Sequence, residues 1–237
     1  MSNRLTQQLD IDYPIIQAPM AGVSTPELAA AVSGAGALGS LGLGSSTVEQ
    51  AETLINRTRR LTTRPFNVNL FCHAPAVRDP QREARWLARL RPEFARFGSL
   101  PPETLAEIYL SFQQQPRMAE LLLDLTPAAV SFHFGVPDRE TLRRLREKGI
   151  VTLASATSVA EALLAVEQGI DMVVAQGYEA GGHRGMFLTD DIGATEVQVR
   201  HNTGRHISEN GRALADLLDA LVLLWPTPVT RLTLIGH

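Results

Sequence analysis

The densest concentration of chemically useful residues is the segment Gln176-Gly177-Tyr178-Glu179-Ala180-Gly181-Gly182-His183-Arg184-Gly185. Gly181, Gly182 and Gly185 carry no Cβ, so the backbone there can approach a bound molecule closely or turn through positive φ. His183 stands among them. An imidazole changes charge near neutral pH, which suits it to abstracting a proton. The spacing alone also fits a Gly-rich turn that presents a solvent-facing histidine. Further polar residues follow other short apolar runs: Gln17-Ala18-Pro19-Met20, Ser40-Leu41-Gly42, Asn67-Val68-Asn69, Ser131-Phe132-His133-Phe134-Gly135 and Ser155-Ala156-Thr157. Amides, hydroxyls, small residues and two histidines suit a flat, hydrogen-bonding ligand, whereas acidic pairs and metal-ligand clusters are scarce, so no metal site is expected. His133 reads equally as a core histidine bonded to backbone, Asn69 as a strand-end cap and Met20 as packing. Cys72 is expected to be inert, and His201, His206 and His237 structural or incidental. Glu179 and Arg184 are placed to form a local ion pair, worth little if exposed.

These residues need a scaffold that brings strand ends to one place. The chain supplies a repeated alternation of strand-length apolar runs and helical patterns. The runs are 14–18, 37–41, 66–71, 128–132, 150–154 and 171–176. Between them, Thr25-Pro26-Glu27 opens a helix with a cap and a first-turn proline, Ser45 to Thr47 cap a helix through about Leu61, Pro137-Asp138 opens another at 138–148, and Ser158 caps one to about Gln168. Residues 77–125 break this rhythm with Arg, Glu, Gln and Leu at helical spacing, and read as a helical insertion whose Arg-rich 82–96 is a solvated face. The strands are apolar on both faces, as in a parallel sheet covered by helices. Six such units predict a (β/α)8 TIM-type barrel or a doubly wound sheet. The first run leads into Pro19-Met20-Ala21-Gly22 and not into GxGxxG, which weighs against a dinucleotide fold.

Composition sets outer bounds. The 237 residues are 44% hydrophobic and 20% charged, which excludes disordered, collagenous and coiled-coil classes. A formal charge of −3 leaves no basic excess for nucleic acid or anionic membrane. One cysteine excludes an internal disulfide and a Cys-based zinc site. The amino terminus has no apolar signal-peptide core, and the longest apolar stretch, 213–225, contains Asp216 and Asp219 and is too short to span a bilayer. A cytoplasmic protein is the expectation.

Four motifs in order carry a resemblance: Pro14-Ile15-Ile16-Gln17-Ala18-Pro19-Met20-Ala21-Gly22, Pro65-Phe66-Asn67-Val68-Asn69-Leu70, Ser131-Phe132-His133-Phe134-Gly135 and Ala175-Gln176-Gly177-Tyr178-Glu179-Ala180-Gly181-Gly182-His183-Arg184-Gly185. From about residue 5 to 188 the chain resembles the nitronate monooxygenases, formerly 2-nitropropane dioxygenases. The resemblance implies an FMN-dependent (β/α)8 enzyme that oxidises alkyl nitronates with O2 to a carbonyl compound and nitrite. It implies that His183 is the base that deprotonates a neutral nitroalkane, and that Asn69, Gln176 and Gly181, with Gly182 beside it, contact FMN. Ala18 and Met20 stand where the first strand's end meets the flavin, and His133 falls on the substrate side. The first motif is shared by related flavin barrels, so an NAD(P)H-dependent quinone or enoyl-thioester reductase is the alternative activity.

The resemblance ends near Asp190-Asp191-Ile192-Gly193. The family's Gly-Gly and Gln-Met-Gly-Thr-like segments, which hold the FMN phosphate after strands seven and eight, find no match in 189–237. Residues 194–210 read as polar coil, 214–225 as a helix and 228–235 as a strand. The expectation is a frameshifted or truncated product, with a genuinely divergent tail as the alternative: residues 1–188 as the flavin-binding portion, 189–237 as an atypical tail, an incomplete barrel with exposed sheet edges, and weak or absent FMN binding. An inactive fragment is then the third reading.

Overall fold

A computed structural model describes residues 4–177, 180 and 182–189. The expected tail therefore lies, from Asp190 onward, outside the described residues, as do Gly181 and Glu179.

Most of the described helices open on a side-chain cap. After α1 (Arg4–Leu9), α2 (Pro26–Gly34) begins with Thr25 accepting a hydrogen bond from the Leu28 amide and with Pro26 in its first turn. A capping box between Thr47 and Gln50 opens α3 (Val48–Leu61). Asp79 caps α4 (Pro80–Arg96), Asp138 caps α6 (Arg139–Glu147) and Ser158 caps α7 (Val159–Gln168), which a left-handed Gly169 ends. Between α4 and α6 a 3-10 turn (Phe112–Gln114) leads into α5 (Pro116–Leu125).

Strands β1 (Gly39–Gly42), β2 (Phe66–Phe71), β3 (Ala129–His133), β4 (Val151–Ala156) and β5 (Met172–Ala175) form one sheet in the order β1-β2-β3-β4-β5, all pairs parallel. A doubly wound sheet reverses its strand order at a switch point; this one advances without reversal, as a barrel must. The described residues thus form an arc of a TIM-type barrel.

Two expectations are corrected in detail. The first apolar run, 14–18, does not become a strand: it makes one parallel bridge, Ile16 to Leu38, in which Leu38 donates to Ile15 O and Gln17 to Leu38 O. Pro14 and Pro19 bound the run and cannot donate to a ladder, so pairing stops after three residues. Gln17 takes over, accepting from the Ser40 amide and donating to Ser40 O at 3.3 and 3.2 Å. In the helical stretch 77–125, α5 is the crossover helix of the β2–β3 unit. Its Met118 and Leu122 join the core beneath the sheet, and its Glu120 receives both Nη atoms of Arg144 from α6 at 2.9 Å. The helix α4 stands apart: it buries Leu87, while Trp86, and Phe97 and Leu100 just after it, stay exposed.

The strands also alternate. Leu41, Val68, Leu70, Val130, Phe132 and Ala154 point outward into the main core with Ala51 and Ile55 of α3, Leu142 and Leu145 of α6 and Ala165 of α7. The opposite face is apolar only at the strand starts, where Ala129, Val151, Leu153, Met172 and Val174 pack with Ile16 and Leu38, and with Leu5 and Leu9 of α1, which closes that end. The same face carries Asn67 near the start of β2 and, further along the strands, Asn69, Ser131 and Gln176, all buried.

Tight helix–sheet contact sets a steric limit at Gly39, where a Cβ would fall 1.9 Å from Ala29 O of α2. Overpacking of this kind costs about 1–3 kcal/mol or more. Gly39→Ala is expected to lower stability by about 3 kcal/mol in urea unfolding, whereas Gly34→Ala, with nothing within 4 Å, is expected to be neutral or slightly stabilising.

Candidate active site

The inward face of the strand ends and the loop that follows β5 enclose a cavity of about 880 Å3. Its floor is Ile16, Leu153 and Val174, its polar wall Asn67, Asn69, Ser131, Ser155 and Gln176, and its rim Met20, Phe71, Tyr109, His133, Phe134, His183 and Met186. Of the residues expected from sequence, Ala18, Met20, Asn69, His133, Gln176, Gly182 and His183 all border this one space. Gly181 lies outside the described residues.

The local geometry explains how each is held. Ser24 ties down the turn after the first run: it accepts from the Met20 amide at 2.9 Å and donates to Ala18 O at 3.3 Å. Asn67 and Asn69, two apart in β2, share the inward face. Both Nδ2 groups donate to the Ser131 hydroxyl at 2.9 Å, and Asn67 donates also to Ser40 at 3.2 Å. The Asn67 Oδ1 has no partner although the residue is 2% exposed. A buried acceptor left unpaired costs free energy unless something else donates to it.

The loop from 182 to 189 folds back over the strand ends. Gln176, at the end of β5, grips it with both ends of its carboxamide: Nε2 donates to His183 O at 2.9 Å and the Gly185 amide donates to Oε1 at 2.6 Å. Arg184 donates to Gly177 O and Ala180 O at 3.1 and 3.2 Å, closing the base of the loop. The suggested Glu179–Arg184 pair lies outside the described residues. Gly185 presses on His133: a Cβ there would meet the ring's Cε1 at 2.6 Å and Nδ1 at 2.9 Å.

His133 borders the cavity. Its Nδ1 sits 2.9 Å from the Ser155 hydroxyl, and its ring packs edge-on against Phe134 at 4.3 Å. Phe134 adopts φ 67°, a strained conformation for a bulky residue. That turn puts its ring between the two histidines, 6.0 Å from His183. His73 and Glu107, 3.4 Å apart, bring the end of β2 together with the loop after α4, whose Tyr109 packs on Phe71.

Asn67, Ser155 and Phe134, which also line the cavity, stand in segments that the sequence places after strands, but no separate role is assigned to them there. Glu161 carried a misleading signal. Ser158 and Glu161 have capping-box spacing, yet the Glu161 carboxylate accepts from Thr157 and from the Phe187 and Leu188 amides. Cys72 is buried, and burial pushes its thiol up to about 12. No group of His, Cys, Asp and Glu among the described residues could hold a metal. No helix among them is long and apolar enough to cross a membrane.

Comparison with known proteins places this geometry. The profile of the nitronate monooxygenase family matches residues 2–203. The chain belongs to that family. It is 56% identical over 187 residues to a nitronate monooxygenase of Pseudomonas aeruginosa, covering 79% of this chain and 53% of the relative. It is 53% identical over 182 residues to one from Paraburkholderia phytofirmans, covering 77% and 50%. The chain thus spans about half the length of the curated relatives it matches. Among solved structures, a nitroalkane oxidase from Streptomyces ansochromogenes superposes with a TM-score of 0.72 at 36% identity, over 94% of this chain and 58% of that one. FabK from Thermotoga maritima superposes at 0.57 with 26% identity, over 79% and 48%. The family match reaches beyond the residue-188 limit of the motif resemblance.

Two measurements follow from this packing. Gly185→Ala is expected to displace the His133 ring and break its contact with Ser155, visible as a shifted His133 imidazole resonance. Cys72 is expected to resist a disulfide reagent at pH 8 in the folded protein and to react fully in denaturant, because the thiolate is the reactive form.

Proposed function

We propose that this chain forms the part of an FMN-dependent nitronate monooxygenase that binds the flavin ring and the substrate, and that His183 is its base. The observation that carries the reading is that His183, His133, Asn69 and Gln176, from three strand ends and one loop, border a single cavity.

The residues present fit a flavin ring. The cavity has the volume range of a cofactor site, with aliphatic floor and aromatic rim. The unpartnered Asn67 Oδ1 suits a ring edge that offers an N–H, and Asn69 and Gln176 line the same cavity. No Lys or Arg lines the cavity among the described residues, so these residues suit the ring and not the phosphate. When bound, FMN supplies the electron transfer and O2 chemistry that side chains cannot.

The remaining work falls to the protein. A nitroalkane is a carbon acid, so the neutral His183 imidazole takes the α-proton. The resulting imidazolium holds the nitronate anion by charge-assisted hydrogen bonding. His133, positioned by Ser155, offers a second hydrogen bond to the nitro oxygens, and Phe71, Phe134 and Tyr109 exclude water around the alkyl group. Oxidation of the nitronate with O2 yields a carbonyl compound and nitrite.

His183→Asn is expected to lower turnover of a neutral nitroalkane by about a hundredfold or more while sparing preformed nitronate, since general-base catalysis contributes roughly 10²–10⁴. Equal loss on both substrates removes His183 from the base role. Asn69→Ala is expected to weaken FMN retention by about tenfold, the worth of one to two hydrogen bonds. Anaerobic mixing separates the activities: bleaching of the flavin by nitronate supports this reading, and bleaching by NADH but not by nitronate supports the reductase.

A further inference from the structure

Glu161 lies in the first turn of α7, on the helical layer and outside the cavity lining. It is 1% exposed, among the most deeply buried side chains of the described residues. A carboxylate in such a place is costly unless its lone pairs are filled, and here they are. One oxygen, Oε2, accepts from the Thr157 amide at 2.7 Å and its hydroxyl at 2.8 Å. The other, Oε1, accepts from the Phe187 amide at 2.7 Å and the Leu188 amide at 3.2 Å. The positive end of α7 adds to the stabilisation of the charge.

The two sets of donors belong to different parts of the chain. Thr157 is the first residue after β4, fixed to the sheet. Phe187 and Leu188 close the loop that carries His183. The carboxylate therefore fastens the far end of that loop to the barrel, while Gln176 fastens its middle at His183 and Gly185. We propose that Glu161 is a positioning residue for His183: a buried carboxylate clamp that fixes the 182–188 loop over the cavity. This rests on the assignment of His183 as the base. The chemistry explains the residue type. Only an ionised carboxyl offers two acceptor oxygens with room for four donors. A carboxamide of the same shape would accept on one side and set its own N–H against amide donors on the other.

The test uses the full 237-residue chain and Glu161→Gln, with His183→Asn in parallel. Hydrogen exchange is read by mass spectrometry, with and without FMN. The expected result is at least tenfold faster exchange in peptides covering 183–188, with protection in β2, β3 and α6 unchanged. Turnover by the FMN-loaded protein should fall at least tenfold more on a neutral nitroalkane than on its nitronate. Unchanged exchange in the loop overturns the clamp. Loss of protection across the whole sheet also overturns it, because the carboxylate would then support the fold at large. If exchange changes as expected but neither variant discriminates nitroalkane from nitronate, the assignment of His183 as base fails while the clamp stands. If His183→Asn discriminates and Glu161→Gln does not, the positioning role fails and the base remains.

Discussion

The parallel register of β2 to β5 is the constraint from which the rest follows. Asn69 pairs with Ser131, and Ser155 stands beside the β5 residue Val174, so that inward positions line up across neighbouring strands. A shift of one residue in any strand would turn its inward set outward. Asn67 and Asn69 would then be pressed into the apolar layer of Ile55, Leu122 and Leu145, where no hydrogen-bond donors or acceptors wait. The cost of burying unpaired amides there is several kcal/mol in all, at about 1–3 kcal/mol per group. The same alternation that builds the core therefore also fixes the polar wall of the cavity.

Above that wall, the structure is held by polar contacts and not by apolar burial. The loop after β5 packs few large side chains. It is positioned by Gln176, Arg184 and Glu161, which reach it from the end of β5, from within the loop and from α7. Hydrogen bonds are directional, so this arrangement defines where His183 stands more sharply than apolar packing would. Strain enters at the same place, in the left-handed Phe134 whose ring meets both His133 and His183.

Much of this was legible in the sequence. Strands 66–71 and 128–132, and the caps Thr25, Asp138 and Ser158, follow from short apolar runs bounded by hydroxyl or carboxylate residues. The convergence of His133, Asn69, Gln176 and His183 followed from placing polar residues after strands of a parallel fold. Other features lay beyond local pattern. Run 14–18 has strand composition, but two prolines confine it to one bridge. The helix at 116–125 falls inside the stretch read as a helical insertion, and its role as a crossover helix shows only in its packing against α3 and α6. Glu161 escaped notice, and Asn67 was quoted without a role, because what each does depends on what it faces across the fold. Resemblance to a family supplied the roles of His183 and Gly181, which spacing alone left open between site and turn.

The central claim is that one cavity, floored by the barrel and roofed by the His183 loop, receives a flavin ring. A crystal structure of the chain soaked or grown with FMN tests it most directly. Ring density is expected against Asn67, Asn69 and Gln176, with the His183 imidazole facing the open side of the ring. Density elsewhere on the molecule, or a His183 side chain turned away to solvent beside an ordered flavin, would contradict it.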